Sequence, residues 1–172
     1  MAQSVSAHTL DSAIPSGSWT LYYHSLAETK WSLATFQKVA TMATWRDFWA
    51  VVGELTPASL ADGMFFLMRD PIPPLWENAQ NIYGGSYSMR IPKDSAGEAF
   101  VSYAVASMIS EATTDTANVI NGLSISPKRG FCIIKVWNKD CTRFKDPAEL
   151  RLQLSSLHSA DILYTPFVEK NM

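Results

Sequence analysis

Cysteine, histidine and long apolar runs are all scarce in this chain, and each scarcity argues against a class of protein. The only two cysteines, Cys132 and Cys141, stand nine positions apart with no second pair and no histidine motif beside them. That argues against a disulfide framework or a zinc site and leaves two structural thiols, with the cytoplasm as the default compartment and the nucleus as a second one. His8, His24 and His158 have no acid or thiol partner nearby in sequence. Neither a glycine-rich phosphate loop nor a His-Glu-x-x-His motif occurs. Gly122-Leu123-Ser124-Ile125-Ser126 comes nearest to a nucleophile elbow, but it lacks the closing glycine and the following helix. The expectation is therefore a protein that is not an enzyme, with no metal and no cofactor. No apolar run approaches the roughly 20 residues of a membrane span, so no membrane partner is expected. A net charge of -2 lacks the broad basic field of a general nucleic-acid coat. Any nucleic-acid binding would be narrow, aimed at an end or a single base.

What is present is a chain of 172 residues, 47% hydrophobic and 17% charged, enough for one well-filled core. Residues 1–16 have no basic start and carry Asp11, so they read as a mobile tail ahead of a domain at 17–172. Alternation predicts a strand from Trp19 to Leu26 and a second from Leu33 to Val39. Thr44-Trp45-Arg46-Asp47 is a variant capping box, opening a helix to about Leu55. Pro57 and Gly63 mark a loop before a short strand, Met64 to Met68, and Gly84-Gly85 opens another, Tyr87 to Ile91. Ser95-Ala96-Gly97-Glu98 reads as a full capping box, starting the longest helix, to about Glu111. Val119 to Ile125 and Phe131 to Trp137 pair around a turn at Pro127-Lys128-Arg129-Gly130. Asp146-Pro147 predicts a third helix with Leu150, Leu154 and Leu157 inside, and Ile162 to Val168 a final strand that tolerates Pro166 at an edge. Strands and helices alternate irregularly, which favours an α+β antiparallel sheet with helices packed on one face.

Of the six tryptophans, Trp31 and Trp76 sit where a core gives no reason for them. Trp31 closes the polar stretch Ser25-Leu26-Ala27-Glu28-Thr29-Lys30. Trp76 ends the run Asp70-Pro71-Ile72-Pro73-Pro74-Leu75 and precedes Glu77. Loop indoles offer flat π-faces for a ligand to stack on, and a carboxylate beside one can read a donor edge.

The series Trp19-x-Leu21-Tyr22-Tyr23, Trp31, Asp47-Phe48-Trp49-Ala50, Pro74-Leu75-Trp76-Glu77, Gly84-Gly85 and Val136-Trp137 resembles the translation initiation factor 4E family, the messenger-RNA cap-binding proteins. The resemblance runs in order from Trp19 to the C-terminus. It implies a curved antiparallel sheet of about eight strands with three helices on its convex face, within the α+β class. It further implies that Trp31 and Trp76 sandwich the 7-methylguanine of the cap, whose positive charge adds a cation–π attraction of roughly 0.5–2 kcal/mol per contact. Glu77 matches the carboxylate that accepts from the guanine N1–H and N2 amine, and Trp137 the residue lining the methyl pocket. The phosphate site departs from the family. Its lysine position falls on Ile133, its arginine position on Lys128 followed by Arg129, and its basic residue after the double glycine is Ser86. Lys128 and Arg129 are the phosphate candidates, with weaker binding of a bare cap analogue implied.

The second family surface, on the helices, takes a peptide from a 4G-like scaffold or a 4E-binding protein. Trp49 matches its central anchor, with Trp45, Tyr103, Ala106 and Ile109 beside it; Trp45 fits the core equally well. The leading expectation is an initiation factor that binds capped mRNA and recruits such a partner. The alternative is an interaction module of the same fold with weak cap affinity, acting in repression or storage of messages. A cap hydrolase is a third class, for which no catalytic constellation is visible.

Overall fold

Side-chain alternation in the strands sorts this molecule into two faces. A computed structural model describes residues 7–168. Its strands are β1 (Trp19–Ser25), β2 (Gln37–Met42), β3 (Gly63–Arg69), β4 (Gly85–Pro92), β5 (Ile120–Pro127), β6 (Phe131–Asn138) and β7 (Leu163–Pro166). They form one seven-stranded sheet in the order β2-β1-β3-β5-β6-β4-β7, every neighbouring pair antiparallel. The helices are α1 (Ala7–Leu10), α2 (Trp45–Val52), α3 (Pro57–Asp62) and α4 (Lys93–Met108). Leu21, Leu67, Leu123, Val136 and Tyr87 point from five strands into the main core, where Phe48 of α2 and Phe100 and Tyr103 of α4 meet them. Residues of opposite parity, Phe66, Met68 and Trp137, build a second and smaller cluster on the other face. Burial of one row of each strand under helices fixes register, because a one-residue slip would exchange the two rows.

The α+β reading with one antiparallel sheet and three helices longer than a turn agrees with this architecture, with seven strands where about eight were expected. Several elements differ in place. The third helix is α3, capped by Thr56 with Pro57 in its first turn, where the sequence pattern indicated only a loop. The segment after Asp146 makes a 3-10 turn, Pro147–Glu149, and then runs extended. Asp146 does cap it, accepting from Ala148 N–H at 3.0 Å. Leu150 then pairs with Thr113 as an isolated bridge, and Arg151 N–H donates to the Ala112 carbonyl at 2.9 Å. Those tertiary bonds use the backbone groups that a helix would need. β2 begins at Gln37, four residues later than expected, because Leu33–Thr35 is a 3-10 turn.

The capping box at Ser95–Glu98 does not form. α4 starts earlier, at Lys93, and the Ser95 hydroxyl meets Asp94 Oδ1 at 3.4 Å instead. At its other end Ser110 takes a left-handed φ of 61°. Glu111 N–H donates to Ala106 and Ser110 N–H to Ser107, the bond pair of a Schellman stop. The expected tail at 1–16 is corrected in its second half. Ile14 is buried, its N–H donates to Ala43, and the Ser16 hydroxyl donates to the Met108 carbonyl at 2.7 Å. The remainder of that expectation, residues 1–6, lies outside the described residues.

Candidate nucleic-acid interface

An unbroken series of ring contacts crosses the sheet face opposite the helices. Trp31 meets Phe66 at 6.4 Å, Phe66 meets Trp137 at 6.0 Å, Trp137 meets Phe167 at 5.1 Å, and Phe167 meets Trp76 at 6.5 Å. Trp31 and Trp76 are 51% and 42% exposed, whereas Trp137 is buried at 6%. Both exposed indoles line one cavity of about 290 Å³ together with Trp137, Glu77, Lys135 and Ser124. The structure therefore brings Trp31, Trp76, Glu77 and Trp137 together.

Each wall of this cavity has a local cause. Trp31 follows β1 in a loop where its ring lies flat on His24, 3.8 Å between centroids and 2° between planes. The loop bearing Trp76 is rooted at Asp70, whose carboxylate accepts from Ser18 Oγ at 2.7 Å and Thr20 Oγ1 at 2.6 Å, both flanking or within β1. Asn81, fully buried, donates to the Pro73 and Leu75 carbonyls and accepts from Asn121 Nδ2. The peptide that precedes Trp76 is thus held from beneath. Trp137 forms the floor, its indole N–H donating to Ser124 Oγ at 3.4 Å.

Chemically, two exposed indoles beside one cavity accept a flat ring, and stacking is worth about 1–3 kcal/mol per base whatever its identity. An electron-poor or cationic ring gains more. Glu77 at the rim supplies acceptors for donor groups on the ring's edge.

Lys128 and Arg129 are not brought to this cavity. They are exposed in the β5–β6 turn, where Lys128 N–H donates to Phe131 at 2.8 Å. Cys132 pairs with Pro127 at that end of the hairpin and Trp137 lies five residues further along β6. At a strand rise of about 3.4 Å per residue, the turn is roughly 17 Å from the indole. The cation that does line the cavity is Lys135, on the same side of β6 as Trp137 and opposite Ser88 of β4. Lys135 also borders a neighbouring cavity of about 640 Å³ lined in part by Arg90. Period-2 spacing back from Trp137 leads to Lys135; Phe167 and His24 left no comparable trace in sequence.

On the helical face, Trp49 is 48% exposed and lines a shallow cavity of about 440 Å³ with Ala106, Ile109, Val101 and Val105. Tyr103 does not belong to it. Its ring is fully buried and its hydroxyl donates to the Arg151 carbonyl at 2.8 Å; burial pushes its pKa up to about 12. Trp45 is half-buried, packed edge-on against Phe48 at 5.9 Å and joined to the core, and it does not line the cavity either.

Residues 16–165 match the model of the family described as eukaryotic initiation factor 4E. An initiation factor 4E of Candida albicans is 24% identical over 136 residues, covering 74% of this chain and 65% of that protein. Initiation factor 4E-2 of Schizosaccharomyces pombe is 27% identical over 130 residues, covering 72% and 52%. The chain thus spans between about half and two-thirds of the length of these curated relatives. Among solved structures, a complex of C. elegans eIF4E-3 with the 4E-binding protein Mextli and a cap analog superimposes with a TM-score of 0.63 at 20% identity, over 74% of each chain. Ascaris suum eIF4E-3 in complex with the m7G cap gives 0.59 at 21% identity, over 72% of each. These likenesses establish the fold, and the family model covers most of the sequence. The chain belongs to the eukaryotic initiation factor 4E family.

Proposed function

We propose that this protein binds the 7-methylguanosine cap of messenger RNA and recruits a translation partner through its helical face. The observation that carries the reading is the shared cavity: Trp31 and Trp76 line it with Glu77 at the rim and Trp137 as the floor. The methylated guanine stacks between the two exposed indoles, its positive charge adding to the stacking. Glu77 accepts from the N1–H and the N2 amine, which adenine cannot offer together. Two solved relatives from nematodes are recorded with a cap analog and with the m7G cap, one of them also with a 4E-binding protein.

Lys135 takes the first phosphate, as the cation on the cavity wall nearest Trp137, with Arg90 next along the same face. Lys128 and Arg129 contribute charge from the hairpin turn and do not grip the base-proximal phosphate. On the opposite face, Trp49, Ala106 and Ile109 receive an amphipathic helix from a 4G-like scaffold or a 4E-binding protein. The protein acts as a binding subunit in the cytoplasm, without catalysis.

Titration of tryptophan fluorescence with 7-methyl-GTP and with GTP tests this. The expected result is strong quenching by 7-methyl-GTP at concentrations where GTP has little effect. Equal and negligible quenching by both would refute cap recognition and leave the interaction-module alternative.

A further inference from the structure

His24 lies beneath the Trp31 wall of the cavity and is fully buried. Its ring is parallel to the indole within 2° at 3.8 Å, so one face of Trp31 is already occupied. Nε2 lies 2.9 Å from the Lys30 carbonyl oxygen and 3.2 Å from Thr35 Oγ1. A carbonyl oxygen only accepts, so the tautomer that bonds Lys30, the shorter of the two carbonyl contacts, has its hydrogen on Nε2. The Thr35 hydroxyl in turn donates to the Ser32 carbonyl at 2.8 Å. Nδ1 lies 3.1 Å from the Ser25 carbonyl. Phe36 packs against the same imidazole at 4.8 Å and 60°.

The imidazole therefore holds three things at once: the flat face of Trp31, the peptide group directly before it, and the 3-10 turn directly after it. The stacked face is the contact that sets the plane of the indole, and a phenyl ring would keep it. We infer that His24 is a positioning residue that fixes the Trp31 indole in its ligand-ready plane before a base arrives. This rests on the cap-binding reading of the cavity. Without the stack and the Lys30 bond, a half-exposed tryptophan on a loop samples several rotamers, and binding must select one of them.

The test is a double-mutant cycle on the full chain, read by 7-methyl-GTP affinity. His24→Ala should weaken binding about ten-fold when Trp31 is present and less than about two-fold in a Trp31→Ala background, the non-additivity expected of residues in contact. His24→Phe keeps the flat contact and loses the Lys30 bond, so it should recover most of that affinity. Equal weakening in both backgrounds, or His24→Phe as damaging as His24→Ala, would overturn the inference.

A ligand-free measurement separates this from failure of the cap reading. In protein labelled with 5-fluorotryptophan, the Trp31 fluorine resonance, assigned by its loss in Trp31→Ala, should shift and broaden in His24→Ala but stay sharp in His24→Phe. An unmoved resonance in His24→Ala overturns the inference even if 7-methyl-GTP binds. A moved resonance with no binding of 7-methyl-GTP by the native chain refutes the cap reading alone. Should His24→Ala fail to fold, the His24→Phe spectrum still decides: broadening there overturns the inference.

Discussion

Phe167 backs Trp76, its ring 6.5 Å away and tilted by 26°. It reaches that place because Phe167 N–H donates to the Gly84 carbonyl at 3.0 Å. A Cβ on Gly84 would run into the Asn138 carbonyl, and one on Gly85 into the Thr165 carbonyl. The double glycine thus lets three backbone segments close up and deliver an aromatic ring behind one wall of the cavity. Phe167→Ala should weaken 7-methyl-GTP binding about two- to ten-fold, the range of one aromatic pair. Its thermal melt should stay cooperative. Calorimetric titration checks this, and an unchanged affinity would remove Phe167 from the site.

Lys135 and the Lys128–Arg129 turn should make separable contributions to binding of 7-methyl-GTP. Lys135→Ala should lower 7-methyl-GTP affinity about ten-fold, as expected for one charge-assisted phosphate contact. It should also reduce the slope of log affinity against log salt by roughly 0.7–0.9. Replacing Lys128 and Arg129 together should change affinity by about two-fold or less, the range of exposed charges. Titrations at several salt concentrations decide between them. A larger loss from the turn variants would return the phosphate role to that turn.

Trp49 and Tyr103 should separate partner binding from stability. Trp49→Ala removes an exposed indole and should abolish pull-down of a 4E-binding peptide while cap affinity is retained. Tyr103→Phe deletes a hydroxyl that donates to the Arg151 carbonyl and accepts from Gln153 N–H. It should cost about 1 kcal/mol of stability, the worth of a typical net hydrogen bond, and leave peptide binding unchanged. Denaturant melts beside the pull-down distinguish these effects.

Asp47 provides a pH test of the α2 cap. Backbone N–H groups of Ala43 and Thr44 donate to its carboxylate and hold its pKa below the ordinary 3.8. A lowered folded-state pKa means stability that is fully present above about the ordinary value and lost as pH falls through the folded one. Asp47→Asn should therefore melt at a lower temperature than the native chain at pH 6. The gap should narrow progressively below pH 4. A gap independent of pH would mean that the carboxylate charge plays no part.

The walls of the Trp31–Trp76 cavity were legible in the sequence for a physical reason. Trp31 and Trp76 stand in polar or proline-rich loops, and an indole placed there has no core to enter. Lys135 is one of three basic residues near this site in sequence, with Lys128 and Arg129, but family spacing puts the phosphate positions on Lys128 and Ile133, whereas alternation from Trp137 leads to Lys135. α4 is apolar around most of its circumference, so its sequence pattern could not separate buried Tyr103 from outward Val105. The leucines after Asp146 have true helical spacing, yet pairing of Leu150 with Thr113 overrode it. Local preference worth a few tenths of a kcal/mol per residue yields readily to such pairing. His24 carries its partnership with Trp31 across a loop, which no periodicity records.

Both walls of the cavity are fastened to one strand. His24 of β1 underlies Trp31, and Asp70 at the root of the Trp76 loop is held by Thr20 of β1 and by Ser18 just before it. The other row of β1, Trp19 and Leu21, lies in the core shared with the helices. β1 is therefore a mechanical link, seven residues long, between the two opposite surfaces of the sheet. On the proposed function, any free energy by which a peptide on the helices favours one setting of this strand changes base affinity by a fixed factor, and the base changes peptide affinity by that same factor.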